Sequence, residues 1–168
     1  MISEREALKL IENTTKHPHS IAVSKMMAAL AKFFGENEEE WRLVGLLHDL
    51  DYDLIRRDMR KHGVAAAEKL SGKLPEHCLY AIKAHDYRTC FKPRSKLDKA
   101  LVAVDSLASL LEKMGKTSEQ LSVNELYEEF ERFSADNPWF RNNVLECEKI
   151  GVTLSKFLEL CIKSLKES

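Results

Sequence analysis

In the stretch "GLLHDLDYDL", residues 45–54, one imidazole and three carboxylates follow an apolar helical run. Trp41, Val44 and His48 recur at i, i+3 and i+7 in "EEEWRLVGLLH", so His48 falls on the stripe that faces a core. Asp49, Asp51 and Asp53 come next. A buried charge requires a partner or a metal. Three more histidines lie on stripes or at the ends of other expected helices. His19 opens one on its apolar side, His62 stands at the start of "HGVAAAEKL", and His85 shares a stripe with Cys78 and Ile82. Asp105 sits inside "ALVAVDSLASLL", between Leu101 and Ala108, where an isolated ionised carboxylate would cost several kcal/mol.

Singly, each of these has an ordinary explanation. A histidine on an apolar stripe is usually a hydrogen-bonded core residue. A buried aspartate usually accepts from a neighbouring helix, and "DLDYD" alone reads as a solvated turn. Together, His19, His48, Asp49, His62, His85 and Asp105 form a set of imidazoles and carboxylates. Such ligands suit Fe, Mn, Zn, Ni or Co better than a Ca or Mg cage. Helices from separate parts of a chain can aim them into one bundle core.

The elements that must position these residues are nearly all helical. Ser3 with Glu6 forms a capping-box pattern before "EREALKLIEN". Pro18 introduces "HSIAVSKMMAALAKFFG", with His19, Val23, Met26, Leu30 and Phe33 on one stripe and Gly35 as its stop. Asn37 with Glu40 resembles a second capping box, opening the helix that reaches His48. "RKHGVAAAEKLSG" reads as a helix ending at Gly72, and "LPEHCLYAIKAHD" as one starting at Pro75. A long helix spans 95–115, and 116–121 is a polar linker. Ser122 with Glu125 caps "VNELYEEFERF", and the tail gives two more helices broken near Gly151. Valine, isoleucine and threonine do not cluster into alternating runs, so no strand is expected. The fold class is all-α: a single domain over 1–168, with a core over about 1–115 and a C-terminal helical cap over about 122–168.

The 168 residues suit one domain with a real core, and 44% apolar with 32% charged residues is ordinary for a globular chain. A net charge of −1, from 26 basic and 27 acidic residues, offers no bulk attraction to nucleic acid or to an anionic membrane. No apolar run approaches the roughly 20 residues of a membrane span, and the N-terminus does not read as a signal peptide. Cys78, Cys90, Cys147 and Cys161 are widely spaced, with no C-x-x-C, so reduced thiols and a cytoplasmic setting are expected. Among the C-terminal aromatics Tyr127, Phe130, Phe133, Trp139 and Phe140, most read as core. The rest are available to wall a pocket or form a homodimer surface.

The segments "PHSIAV", "LLHDLDYD", "KHGVAAAEKL", "AIKAH" and "VAVDSL" resemble, in order, the motifs of the HD superfamily of metal-dependent phosphohydrolases. The likeness covers about residues 15–115, and the tail is similar to small members of the HDIG type. The resemblance implies a helical bundle around a central metal site. His19, His48, Asp49 and Asp105 match the core ligands. His62 and His85 match the extra histidines of two-metal members, in which the residue at Asp49 bridges, so two divalent transition-metal ions are expected. Departures limit the transfer of substrate. Asp86 stands where the cyclic-dinucleotide branch has a second histidine, and that branch's Gly-Tyr-Pro signature is absent. Tyr52 stands where the nucleotidase branch has an acid. "LDYD" differs from the Glu-Asp pair of the alarmone hydrolases.

The expected activity is hydrolysis of a small phosphorylated molecule, a nucleotide among the candidates, by metal-activated water. In that mechanism Asp49 bridges and orients. Asp51 and Asp53 are candidates for general base, or for hydrogen-bond partners behind a ligand histidine, against plain turn or helix-capping roles. Lys83 and Arg88 flank His85 and are the candidate phosphate contacts. Arg88 leads because guanidinium binds phosphate in a bidentate fashion. Lys61, beside His62, is a weaker candidate, and Lys92, Arg94 and Lys96 fit a solvated basic loop. Two other readings share the ligand set: a mixed-valent diiron oxygenase, and a non-catalytic helical binding module stabilised by metal.

Overall fold

A computed structural model describes residues 1–167, and among these it contains helices and turns but no strand. The helices are α1 (Glu4–Ile11), α2 (His17–Phe34), α3 (Glu38–Leu47), α4 (Val64–Lys69), α5 (Glu76–Ala84), α6 (Lys96–Met114), α7 (Val123–Asp136), α8 (Pro138–Val144), α9 (Glu146–Lys149) and α10 (Leu154–Lys166). The expected all-α class is what the chain adopts.

Local chemistry sets most of the boundaries. The Ser3–Glu6, Ser95–Asp98 and Ser122–Glu125 pairs close reciprocal capping boxes on α1, α6 and α7. Gly35 and Gly115 end α2 and α6 in the left-handed conformation. Asn37 caps α3 by accepting from the Glu40 N–H, but the reciprocal half of that box does not form, because the Glu40 carboxylate is engaged with His77 at 2.9 Å.

Three expectations are corrected. The helix after His62 is shorter than its apolar pattern suggests, because Met59–Lys61 is a 3-10 turn and Gly63 has φ +78°. The tail holds three helices rather than two, with an extra break at Leu145 ahead of the one at Gly151. Phe33 is exposed, and Phe34 packs against Trp41 in its place, with ring centroids 6.2 Å apart.

Helix α2 is the central rod, with α3, α6 and α10 packed on it. Val23, Met26, Met27 and Leu30 of α2 meet Leu43, Leu47, Ile82, Leu101 and Val104 in one buried cluster, which Phe130, Phe140 and Phe157 of the C-terminal helices join. Each such side chain contributes roughly 1.5–3 kcal/mol by leaving water. Tyr127 and Trp139 stay exposed. No helix among the described residues is long and apolar enough to cross a membrane, and all four cysteines are free thiols.

Candidate metal centre

All six expected ligands converge. His19 comes from the first turn of α2, His48 and His85 cap the C-terminal ends of α3 and α5, and Asp105 projects from the middle of α6. Asp49 follows His48 in a turn, and His62 links the 3-10 turn to Gly63. All four imidazoles and Asp49 are buried, and the Asp105 side chain retains 25% exposure.

Each histidine is held from behind by its Nδ1. His48 Nδ1–H donates to the Gly45 carbonyl at 2.8 Å, and His85 Nδ1–H to the Ile82 carbonyl at 2.6 Å. One device serves both. The carbonyls in the last turn of a helix lack intrahelical partners, and a histidine three residues later supplies one. His62 Nδ1 bonds Asp51 Oδ1 at 3.0 Å, and His19 Nδ1 bonds Glu112 Oε1 at 2.9 Å. The oxygen acceptor behind each Nδ1 turns every Nε2 inward, where it offers a lone pair to an ion once any proton on it has left.

The inward atoms surround Asp49. Its Oδ1 lies 3.1 Å from His62 Nε2, 3.3 Å from His48 Nε2 and 3.7 Å from His85 Nε2, while its Oδ2 lies 3.7 Å from His19 Nε2. Asp105 Oδ1 is 2.9 Å from His19 Nε2 and 3.5 Å from His48 Nε2. His62 and His85 bring their Nε2 atoms to 3.1 Å of each other. His48 Nε2 is buried without any hydrogen-bond partner. An orphaned imidazole nitrogen among carboxylate oxygens is what a cation would satisfy. His19, His48 and Asp105 form one trio within ligand distance, and His48, Asp49 and His85 form another. The donors fit a divalent transition metal in either trio.

The electrostatics agree. Burial alone would raise the Asp49 pKa, but His48, His62 and His85 outweigh it and hold the carboxyl well below its ordinary range. Asp105 is likewise held low against burial by its bond with His19 and the nearness of His48. Burial pulls His62 down, yet its bonds with Asp49 and Asp51 push it up to about 10.

The remaining expected residues fall outside this ring. Asp51 is buried with both oxygens occupied, Oδ1 by His62 and Oδ2 by the Ala66 N–H of α4 at 2.9 Å. Asp51 thus braces the back of His62 against the first turn of α4. Asp53 accepts from the Thr15 N–H at 2.9 Å and from the Thr15 hydroxyl, pinning the turn before α2. Arg88 is paired with Asp86 through Nε at 2.9 Å and Nη2 at 2.5 Å, so its fork is already filled. The Lys83 ammonium lies 5.8 Å from the Phe91 ring centroid, Arg94 lies over Tyr80, and Lys96 pairs with Glu36.

Several contributors escaped the sequence reading. Glu112 lies seven residues after Asp105 on α6, a spacing that puts both on one face and could have revealed it. Lys16 holds its ammonium 4.7 Å from the Tyr52 ring, and Tyr52 meets His62 edge-on at 5.6 Å. Gly63 is required because a Cβ there would come 2.3 Å from the Ile82 carbonyl oxygen and 3.1 Å from the His85 ring.

Fold and site together define an all-α protein with a histidine–aspartate centre suited to divalent metal. A model of the HD domain matches residues 18–110, more than half of the chain, and the protein belongs to the HD domain family. No curated protein and no solved structure matches the chain.

Proposed function

We propose that this protein is a metal-dependent phosphohydrolase acting on a small phosphorylated substrate. The observation that carries the reading is the Asp49 carboxylate set between His19 and Asp105 on one side and His62 and His85 on the other. His19, His48 and Asp105 would hold one ion and His62 and His85 the other, with Asp49 available to either. Bound there, divalent ions lower the pKa of water and supply positive charge for a phosphoryl oxygen.

The chain's own groups do the rest. Hydrogen bonds behind all four histidines keep each Nε2 aimed inward, so no reorganisation is needed when substrate arrives. Asp105, the most exposed member of the ring, marks its open side. The 40%-exposed Tyr52 stands beside His62 and carries the Lys16 ammonium over its ring, so the phenol O–H and the ammonium are the candidates to meet phosphate oxygens. Arg88, already neutralised by Asp86, would have to leave that pair before it could bind phosphate.

The test is phosphate release from a panel of phosphomonoesters and nucleotides by protein loaded in turn with Mn, Co, Ni, Zn or Fe. Metal-dependent turnover that falls to background in Asp49→Asn and His48→Ala is expected. A folded, metal-loaded protein that cleaves no phosphoester overturns the reading, and a mixed-valent iron signal in electron paramagnetic resonance would redirect it to oxidation.

A further inference from the structure

Helices α3 and α5 lie side by side in the same direction. At their C-terminal ends they carry His48 and His85, whose rings approach to 5.1 Å. At their N-terminal ends they bring together Glu40, His77 and Cys78. These side chains each offer one ligand atom, and the three atoms lie within 4.8 Å of one another. His77 Nε2 and Glu40 Oε2 are 2.9 Å apart. The Cys78 side chain is fully buried and its thiol is free. Its neighbours on this side are the rim pair Glu40 and His77.

We infer that Glu40, His77 and Cys78 form a second, peripheral metal site for a borderline-soft cation, zinc above all, separate from the central centre. Tetrahedral donors 2.0–2.3 Å from one zinc ion lie about 3.3–3.7 Å apart, so the 2.9 Å Glu40–His77 pair must open slightly and separations of up to 4.8 Å must shorten by about an ångström, within reach of side-chain rotation, to close on an ion. Thiolate, imidazole and carboxylate are all zinc ligands, and a water completes a three-ligand site. Zinc with one thiolate and one carboxylate is also neutral overall, which suits a half-buried position. Burial, and then Glu40, push the Cys78 thiol up to about 12, so without an ion it stays protonated. Binding would release that proton to solvent.

The position gives the site a consequence. Glu40 precedes His48, and His77 precedes His85, by a little over two helical turns, about 12 Å along each axis. An ion at the N-terminal ends would lock together the two rods whose far ends supply central ligands.

Cobalt(II) distinguishes the two centres, because the central ring contains no sulfur. Titrating cobalt into the full-length protein is expected to produce a thiolate-to-cobalt charge-transfer band in the near ultraviolet. The band should persist in His48→Ala, which damages the central site, and in Cys90→Ser, which removes the exposed thiol. It should vanish in Cys78→Ser and weaken in His77→Ala and Glu40→Gln. Circular dichroism checks the fold of Cys78→Ser. Should that variant unfold, the two rim variants, which leave the core intact, decide the matter. Absence of the band in the wild type, or a band indifferent to His77 and Glu40, overturns the inference and leaves those two as a surface ion pair only.

Discussion

At the residue scale, the centre depends on what stands behind each ligand. Asp51 holds His62 Nδ1 with one oxygen and the first turn of α4 with the other. Asp51→Asn keeps the size but lets an amide N–H face the ring, which removes the reason for the Nδ1 tautomer. Loss of such a partner typically costs 10–100-fold in metal affinity, so a weakening of about that size is expected for the ion at His62 and His85. Isothermal titration calorimetry measures it. Asp53→Asn, which loosens only the Thr15 turn, should leave the affinity unchanged, and equal effects from the two variants would sink the assignment. The pH dependence follows from His62. Its folded pKa of about 10 lies above the ordinary 6.5, so protonation favours the fold. In metal-free protein that contribution is complete below about 6.5 and is lost as pH rises through about 10. Metal must displace the proton, so metal-free protein should lose melting temperature over this window while affinity for the ion rises. A thermal melt series with and without chelator checks both signs.

At the scale of elements, the spacing of α2 and α3 sets the distance between His19 and His48. Gly45 permits it. A Cβ there would stand 2.9 Å from the Ser24 Cα and 3.0 Å from the Val23 carbonyl oxygen, both backbone atoms that cannot rotate away. Gly45→Ala gains about 1 kcal/mol of helix propensity but incurs overpacking of about 1–3 kcal/mol, so a small net loss of stability is expected. The larger effect should fall on metal binding, since the helices must part beside two ligands and the Gly45 carbonyl that orients His48 moves with them. A variant that keeps full metal occupancy would show that the packing does not set the site. The same comparison explains what was legible in the sequence. The stripes carrying His19, His48, His85 and Asp105 follow helical periodicity, and the capping residues give most helix ends. Chain-distant approaches leave no local trace. The clash that requires Gly63 comes from Ile82, and the second bond that holds Asp51 comes from α4. The pairing of Arg88 with Asp86 is not visible in the sequence, because the two meet only when the chain turns into a 3-10 helix. The tail was misread because α8 and α9 are too short for their periodicity to show a break at Leu145.

At the scale of the whole molecule, the central ligands come from α2, α3, the turns after it, α5 and α6, so one site fastens most of the bundle. Without an ion, two carboxylates that repel each other, Asp49 and Asp105, are balanced by protonated imidazoles. With an ion, the metal does the balancing and the protons leave. Metal should therefore act as a folding ligand. An ion present at 100 times its dissociation constant stabilises by about 2.7 kcal/mol, and for a domain of this length each kcal/mol raises the melting temperature by about 2–4 °C. Loading is expected to raise the melting temperature by roughly 5–10 °C over chelator-treated protein, less whatever binding the unfolded chain retains through its histidines. Because α10 and the core cluster with Phe130, Phe140 and Phe157 pack on α2, the C-terminal helices should melt in the same transition as the ligand-bearing ones. Calorimetry with and without metal decides this. A single transition that moves with metal supports a bundle tied through its centre. A C-terminal transition that stays fixed while the first one moves would show that the cap folds independently of the site.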